Sequence, residues 1–178
     1  MPGNGRVRWA RSAAGSVSPL FDRLKAHRAV FGSKLGWERP NWFAPEGTEP
    51  RDIYSMGRQN WFGPVGAEHV HVREAVGIFD QSSFAKYEVT GADAARALDY
   101  VCAGDVTKAP GRLTYTQLLN SRGGIECDLT VARLSDDRFY VVTGSGFGIR
   151  DSHWLARQMP RDGSVTMHEV TSARAVIN

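Results

Sequence analysis

The chain has 178 residues, 42% of them hydrophobic, 23% charged and 10% aromatic, enough for one sizeable core and the composition of an ordinary globular protein. It carries 22 Lys+Arg against 19 Asp+Glu, and part of that excess (Arg6, Arg8 and Arg11) precedes the first acid, Asp22. The rest is near neutral, without the clustered basic stripe of a nucleic-acid binder, and no apolar run reaches the length of a membrane span.

In chain order, residues 1–18 are rich in Gly, Ser, Ala and Arg and read as a disordered tail. The tail lacks the apolar core of a secretory signal. An Arg-rich, acid-free start fits either a mitochondrial presequence or an upstream linker. A short helical pattern follows at Leu20, Phe21 and Leu24. Residues 32–66 show no period and read as part of an irregular lead-in segment, 19–66, that wraps the following domain. Its aromatics Trp37, Trp42, Phe43, Trp61 and Phe62 must cover something apolar.

Regular structure is expected from Ala67. Glu68–Val76 reads as a helix stopped by Gly77, Phe84–Val89 as a strand, and Gly91–Cys102 as a helix with Ala94, Ala97, Leu98 and Val101 on one stripe. Leu113–Leu119 and Ile125–Leu134 form a hairpin around Asn120–Gly124, and Arg138–Thr143 adds a third strand. Phe147–Met159 reads as a helix, with Ser164–Val170 and Ala173–Ile177 as further strands. The order implies an α+β fold, a largely antiparallel sheet with flanking helices, over residues 67–178. The alternation still running at Asn178 suggests truncation of that domain at its C-terminus.

Several constellations carry less than they promise. Cys102 and Cys127 are far apart with no C-x-x-C, which favours reduced thiols in a cytoplasmic fold over a disulfide or zinc site. Gly144-Ser-Gly-Phe-Gly148 has the look of a phosphate cradle, but Ile149 stands where a third glycine is needed, so a tight strand-to-helix connection is favoured. His69 and His71, two apart on a helix, cannot chelate one ion.

Glu126 and Asp128 are the acids of interest. Two apart on a strand, they share a face, opposite Ile125, Cys127, Leu129 and Val131. Spacing alone makes them the solvated side of a half-buried sheet. A hairpin loop of four or five residues also puts Tyr115 nearly opposite Asp128, and a carboxylate beside an aromatic platform suits a flat, amine-bearing ligand.

These residues also carry a resemblance. Glu68-His-Val-His-Val-Arg73 continuing to Gly77-Ile-Phe-Asp80-Gln-Ser82, and Leu118-Leu-Asn120-Ser-Arg-Gly123-Gly124-Ile-Glu-Cys-Asp128-Leu-Thr-Val131, resemble two motifs of the glycine-cleavage T-protein (aminomethyltransferase) family, in the family's order. Gly36-Trp37-Glu38-Arg39-Pro40-Asn41-Trp42-Phe43 is similar to the dimethylglycine and sarcosine dehydrogenase branch. The resemblance covers residues 19–178 and implies the N-terminal part of a folate-binding module only.

It implies tetrahydrofolate as cofactor, Asp128 as the catalytic carboxylate, and a pteridine slot lined by Phe84, Tyr115 and Val142. A carboxylate there positions a weakly basic nitrogen and stabilises the charge that forms on it. Cys127 replaces the family's preceding aspartate, which removes a second acid. FAD belongs to an upstream oxidase domain of the parent enzyme, absent here. The implied partners are small-molecule folate, with neither nucleic acid nor membrane, and the missing C-terminal half or an FAD oxidase domain on another chain. The implied compartment is the cytoplasm, or the mitochondrial matrix in a eukaryote. Members of a different class, non-catalytic folate-binding or regulatory proteins such as a mitochondrial phosphatase subunit, share the module, so a regulatory remnant is the alternative.

Overall fold

The computed structural model describes residues 15–178. The expected disordered tail, 1–18, lies outside the described residues up to residue 14. At its end the expectation is corrected: strand β1 (Ser16–Val17) pairs in parallel with β3 (Trp37–Phe43), and Ser16 N–H donates to Gly36 O at 2.7 Å. The chain forms two compact units that divide between Val65 and Gly66.

In the first unit, helix α1 (Phe21–Ala26) leads into an antiparallel hairpin, β2 (Ala29–Lys34) and β3. Here the aperiodic reading of residues 32–66 fails for its first dozen residues. The connection is a two-residue turn, Leu35 (φ 50°) and Gly36 (φ 88°). Leucine pays a steric cost for left-handed backbone, so this turn has no ordinary sequence signal. Pro40 in β3 further disguises the strand. The small core joins Val30, Trp42 and Ala44 with Trp61 and Val65 packed against them. Trp42 and Trp61 thus do cover apolar surface, whereas Phe62 stays exposed. Helix α2 (Phe62–Glu74) begins six residues before the expected start; Pro64 sits in its first turn, where proline is tolerated.

The second unit is an α+β sandwich of one five-stranded sheet and its helices. The sheet runs β5-β6-β7-β4-β8, antiparallel throughout, from β4 (Ala85–Thr90), β5 (Leu113–Leu119), β6 (Ile125–Arg133), β7 (Arg138–Thr143) and β8 (Thr166–Glu169). Helices α3 (Ala94–Val101) and α4 (Gly148–Gln158) supply the other layer. One sheet face sends Tyr87, Val89, Leu118, Leu129, Val131, Phe139 and Val141 into a core shared with Ala94, Ala97, Leu98, Val101 and Leu155. The helical stripe read from α3 is the stripe that is buried.

The C-terminal end departs from expectation. Ala173–Ile177 is not a strand: a 3-10 turn (Thr171–Ala173) precedes an extended end that bridges Ile177 to Asp80. Lys86, beside this end, is fully buried, its Nζ donating to the carbonyls of Ser82 (2.6 Å) and Arg174 (2.7 Å). Burial pushes that amine below its ordinary value, and Asp80 opposes the shift. Gly144–Gly148 follows β7, which pairs antiparallel on both sides, so it opens no parallel βαβ unit.

Both cysteines are free, and burial pushes each thiol up to about 12. Since the thiolate is the nucleophile, an aromatic disulfide reagent near pH 8 should react with the native chain about 10³-fold more slowly than with the unfolded chain. Stopped-flow traces showing one fast thiol in the folded protein would contradict this burial.

Candidate functional site

The face of the sheet away from α3 and α4 is polar and aromatic. Asp128 on β6 pairs with Gln117 on β5, Thr130 pairs with Tyr115, and Val142 on β7 lies beside Thr130 and Lys86. The expected opposition of Tyr115 and Asp128 is off by two residues. The two are nonetheless joined, because diagonal neighbours on one face are within reach of a long side chain. The Tyr115 hydroxyl donates to Asp128 Oδ2 at 2.6 Å. That length is typical of an O–H bond to a carboxylate.

The bond orders an otherwise open pair: Tyr115 keeps 67% of its surface exposed and Asp128 is also exposed. Asp128 Oδ1 has no hydrogen-bond partner among the described residues. Val142 is half-buried, as is Phe84, which stands one residue before β4. The strands therefore bring Tyr115, Asp128 and Val142 to one face, with Phe84 at the end of the strand next to Val142. Gln117, directly opposite Asp128, is a neighbour that motif reading left out. Its signal is the i, i+2 spacing from Tyr115 on a strand.

Glu126 behaves differently from Asp128. The β5–β6 ladder shifts between Leu118 and Leu119, so that Leu118 faces Cys127 while Leu119 faces Ile125. Glu126 is the unmatched residue of that bulge. Its carboxylate accepts from Asn120 Nδ2 at 2.9 Å and from Arg150 at 2.6 Å. The bulge also corrects the expected apolar face: Cys127, Leu129 and Val131 are buried, but Ile125 is 68% exposed. Two carboxylates are thus near one another in sequence, one held by an arginine and one by a phenol.

The hydrogen bond to Asp128, followed by the repulsion of its charge, holds the Tyr115 phenol above its ordinary value. A phenol that keeps its proton longer in the fold than in the unfolded chain stabilises the fold below the ordinary tyrosine range. That contribution is lost as pH rises through the raised value. In a tyrosine-resolved titration, Asp128→Ala should move Tyr115 back down toward pH 10. An unchanged Tyr115 midpoint would mean the pair does not exist in solution.

Among the described residues no three His, Cys, Asp or Glu side chains gather as a metal site, and no helix is long and apolar enough to cross a membrane.

Residues 20–178 match the family described as GCVT N-terminal domain. The chain is 41% identical, over 160 residues, to 4-methylaminobutanoate oxidase (formaldehyde-forming) of Paenarthrobacter nicotinovorans, covering 90% of this chain and 19% of that protein. It is 33% identical, over 171 residues, to mitochondrial dimethylglycine dehydrogenase of Rattus norvegicus, covering 96% and 20%. The crystal structure of glycine cleavage system aminomethyltransferase T from Bartonella henselae matches with a TM-score of 0.71 at 26% identity, over 92% of this chain and 40% of that one. The chain thus spans about a fifth of the length of these curated relatives.

Proposed function

This chain belongs to the GCVT N-terminal domain family, and from that premise we propose that it is a tetrahydrofolate-binding module that transfers a one-carbon unit from a methylated amine to folate. Within the family it sits with the dimethylglycine and sarcosine dehydrogenases and the aminomethyltransferases. The observation that carries the proposal is the Tyr115–Asp128 bond on an open sheet face.

The residues present suit a flat ligand with weakly basic nitrogens. Tyr115 offers an exposed ring, Phe84 and Val142 offer half-buried apolar surface, and Asp128 offers an exposed carboxylate acceptor. When bound, tetrahydrofolate supplies the amine nitrogens that take up the carbon. Asp128 then has two tasks: its Oδ1 accepts a proton, and its charge stabilises positive charge developing nearby. Tyr115 holds Oδ2 and so limits the rotation of the carboxylate. Glu126, engaged by Arg150 and Asn120, is not free for the same work. This reading assigns one catalytic carboxylate, in keeping with Cys127 in place of a second acid.

An FAD oxidase domain and the remainder of the folate module, supplied by other parts of the parent protein or by another chain, are the proposed partners. The test is a titration with tetrahydrofolate followed by tyrosine and tryptophan fluorescence, together with an assay for 5,10-methylenetetrahydrofolate from an aminomethyl donor. Saturable binding that is weakened by Tyr115→Ala supports the reading. Binding that ignores Tyr115→Ala, with no product formed, would leave a non-catalytic family remnant.

A further inference from the structure

The first unit contains a pocket of about 320 Å³ lined by Asn41, Trp42, Asp52, Tyr54, Trp61 and Val65. Its volume is at the lower end for small-molecule sites. It stands apart from the folate reading, and none of its residues takes part in the sheet of the second unit.

The pocket is built rather than left over from packing. Trp42 is 1% exposed and forms the core of its unit, and its indole Nε1–H donates to Asp52 Oδ1 at 2.8 Å. That bond fixes both the ring and the carboxylate. Asn60 clamps the backbone on either side of Asp52: it accepts from Ile53 N–H and donates to Arg51 O, each at 2.9 Å. Tyr54 meets Trp61 edge to face, with ring centroids 5.4 Å apart. Tyr54 is nevertheless 79% exposed, more than packing alone explains for a large aromatic side chain. Arg58 stacks over Phe62 at 4.6 Å, and Phe62 does not line the pocket.

Two electron-rich rings, Tyr54 and Trp61, beside a carboxylate fixed by the buried Trp42 attract a compact cation with apolar skin. The ring faces hold the methyl groups and the positive charge together, and the carboxylate selects against a neutral molecule of the same shape. We propose that this pocket binds a methylated ammonium group, with Trp42 as floor, Tyr54 and Trp61 as walls, and Asp52 as counter-charge.

The probes are tetramethylammonium chloride, its neutral near-isostere tert-butanol, and sodium chloride at matched ionic strength, added to the full chain. The readout is the indole N–H resonances of Trp42 and Trp61. Tetramethylammonium is expected to shift both with a dissociation constant on the order of 1 mM. Asp52→Asn keeps an acceptor for Trp42 and should weaken binding about tenfold. Tyr54→Ala, at an exposed position, should weaken it several-fold without unfolding the unit. The proposal is overturned by equal shifts with tert-butanol, which would make the pocket merely apolar. It is equally overturned by an affinity unmoved in Asp52→Asn, or by no shift up to about 100 mM, a hundred times the expected constant.

Discussion

Gly91→Ala is expected to cost the second unit about 3–5 kcal/mol, a large share of an ordinary domain's total stability, read as a fall in its urea midpoint. Gly91 joins β4 to α3 at φ 132°, a conformation that side-chain-bearing residues rarely adopt. An added Cβ would lie 2.1 Å from the Ser164 carbonyl oxygen. That atom belongs to the main chain just before β8, so no rotamer change relieves the overlap. The segment must move, and with it go the Asp93 N–H bond to Ser164 O and the Thr90–Thr166 pairing that starts β8. Gly66→Ala is the control. Gly66 lies inside α2 with open space around its Cα, and alanine there should raise stability by roughly 0.5–1 kcal/mol. Equal midpoints for the two variants would refute the account of Gly91.

On activity the largest effect is expected at Asp128. Asparagine has the same shape and can still accept the Tyr115 hydroxyl, but it neither takes a proton nor carries charge. Asp128→Asn should therefore lower the turnover of the proposed folate-dependent transfer by about 10²–10⁴-fold while changing tetrahydrofolate binding little. Tyr115→Phe keeps the ring and releases Oδ2, and should cost far less. If Asp128→Asn lost affinity and turnover in equal measure, the carboxylate would be a binding contact alone. If Tyr115→Phe cost as much as Asp128→Asn, the phenol would be the proton-transfer group.

How much of this the residue pattern discloses depends on the element. β5 and β7 were legible to the residue, and β6 to within one, because their buried residues alternate cleanly between turns rich in Gly, Ser and Asp. The α3 stripe was legible for the same reason at helical period. The β2–β3 hairpin was hidden by a turn that forces Leu35 to positive φ, a choice that tertiary context imposes against local preference. The early start of α2 was hidden by Gly63, Pro64 and Gly66, all poor helix formers. At the site, the pairing of Tyr115 with Asp128 was legible as a neighbourhood but not as a register. A single unmatched residue, Glu126, changes the count along β6, and nothing in the local composition announces a bulge. The Trp42–Asp52 bond is of the same kind: it joins residues ten apart through a loop without period.

The clasp at the end of the chain has a mechanical meaning. Phe79 and Asn178 exchange two backbone bonds, 2.8 and 3.0 Å, Gln81 N–H reaches Val176 O at 2.9 Å, and then the buried Lys86 ammonium grips the Arg174 carbonyl. These contacts lie in sequence along two antiparallel extended segments joined by an isolated bridge between Asp80 and Ile177. Tension applied between residues 79 and 178 would meet them one at a time, as in opening a zip, instead of loading them together in shear. The first bonds to break are exposed and weak, and the last is the charged one. The second unit is thus easy to fray at its seam and hard to unravel past Lys86.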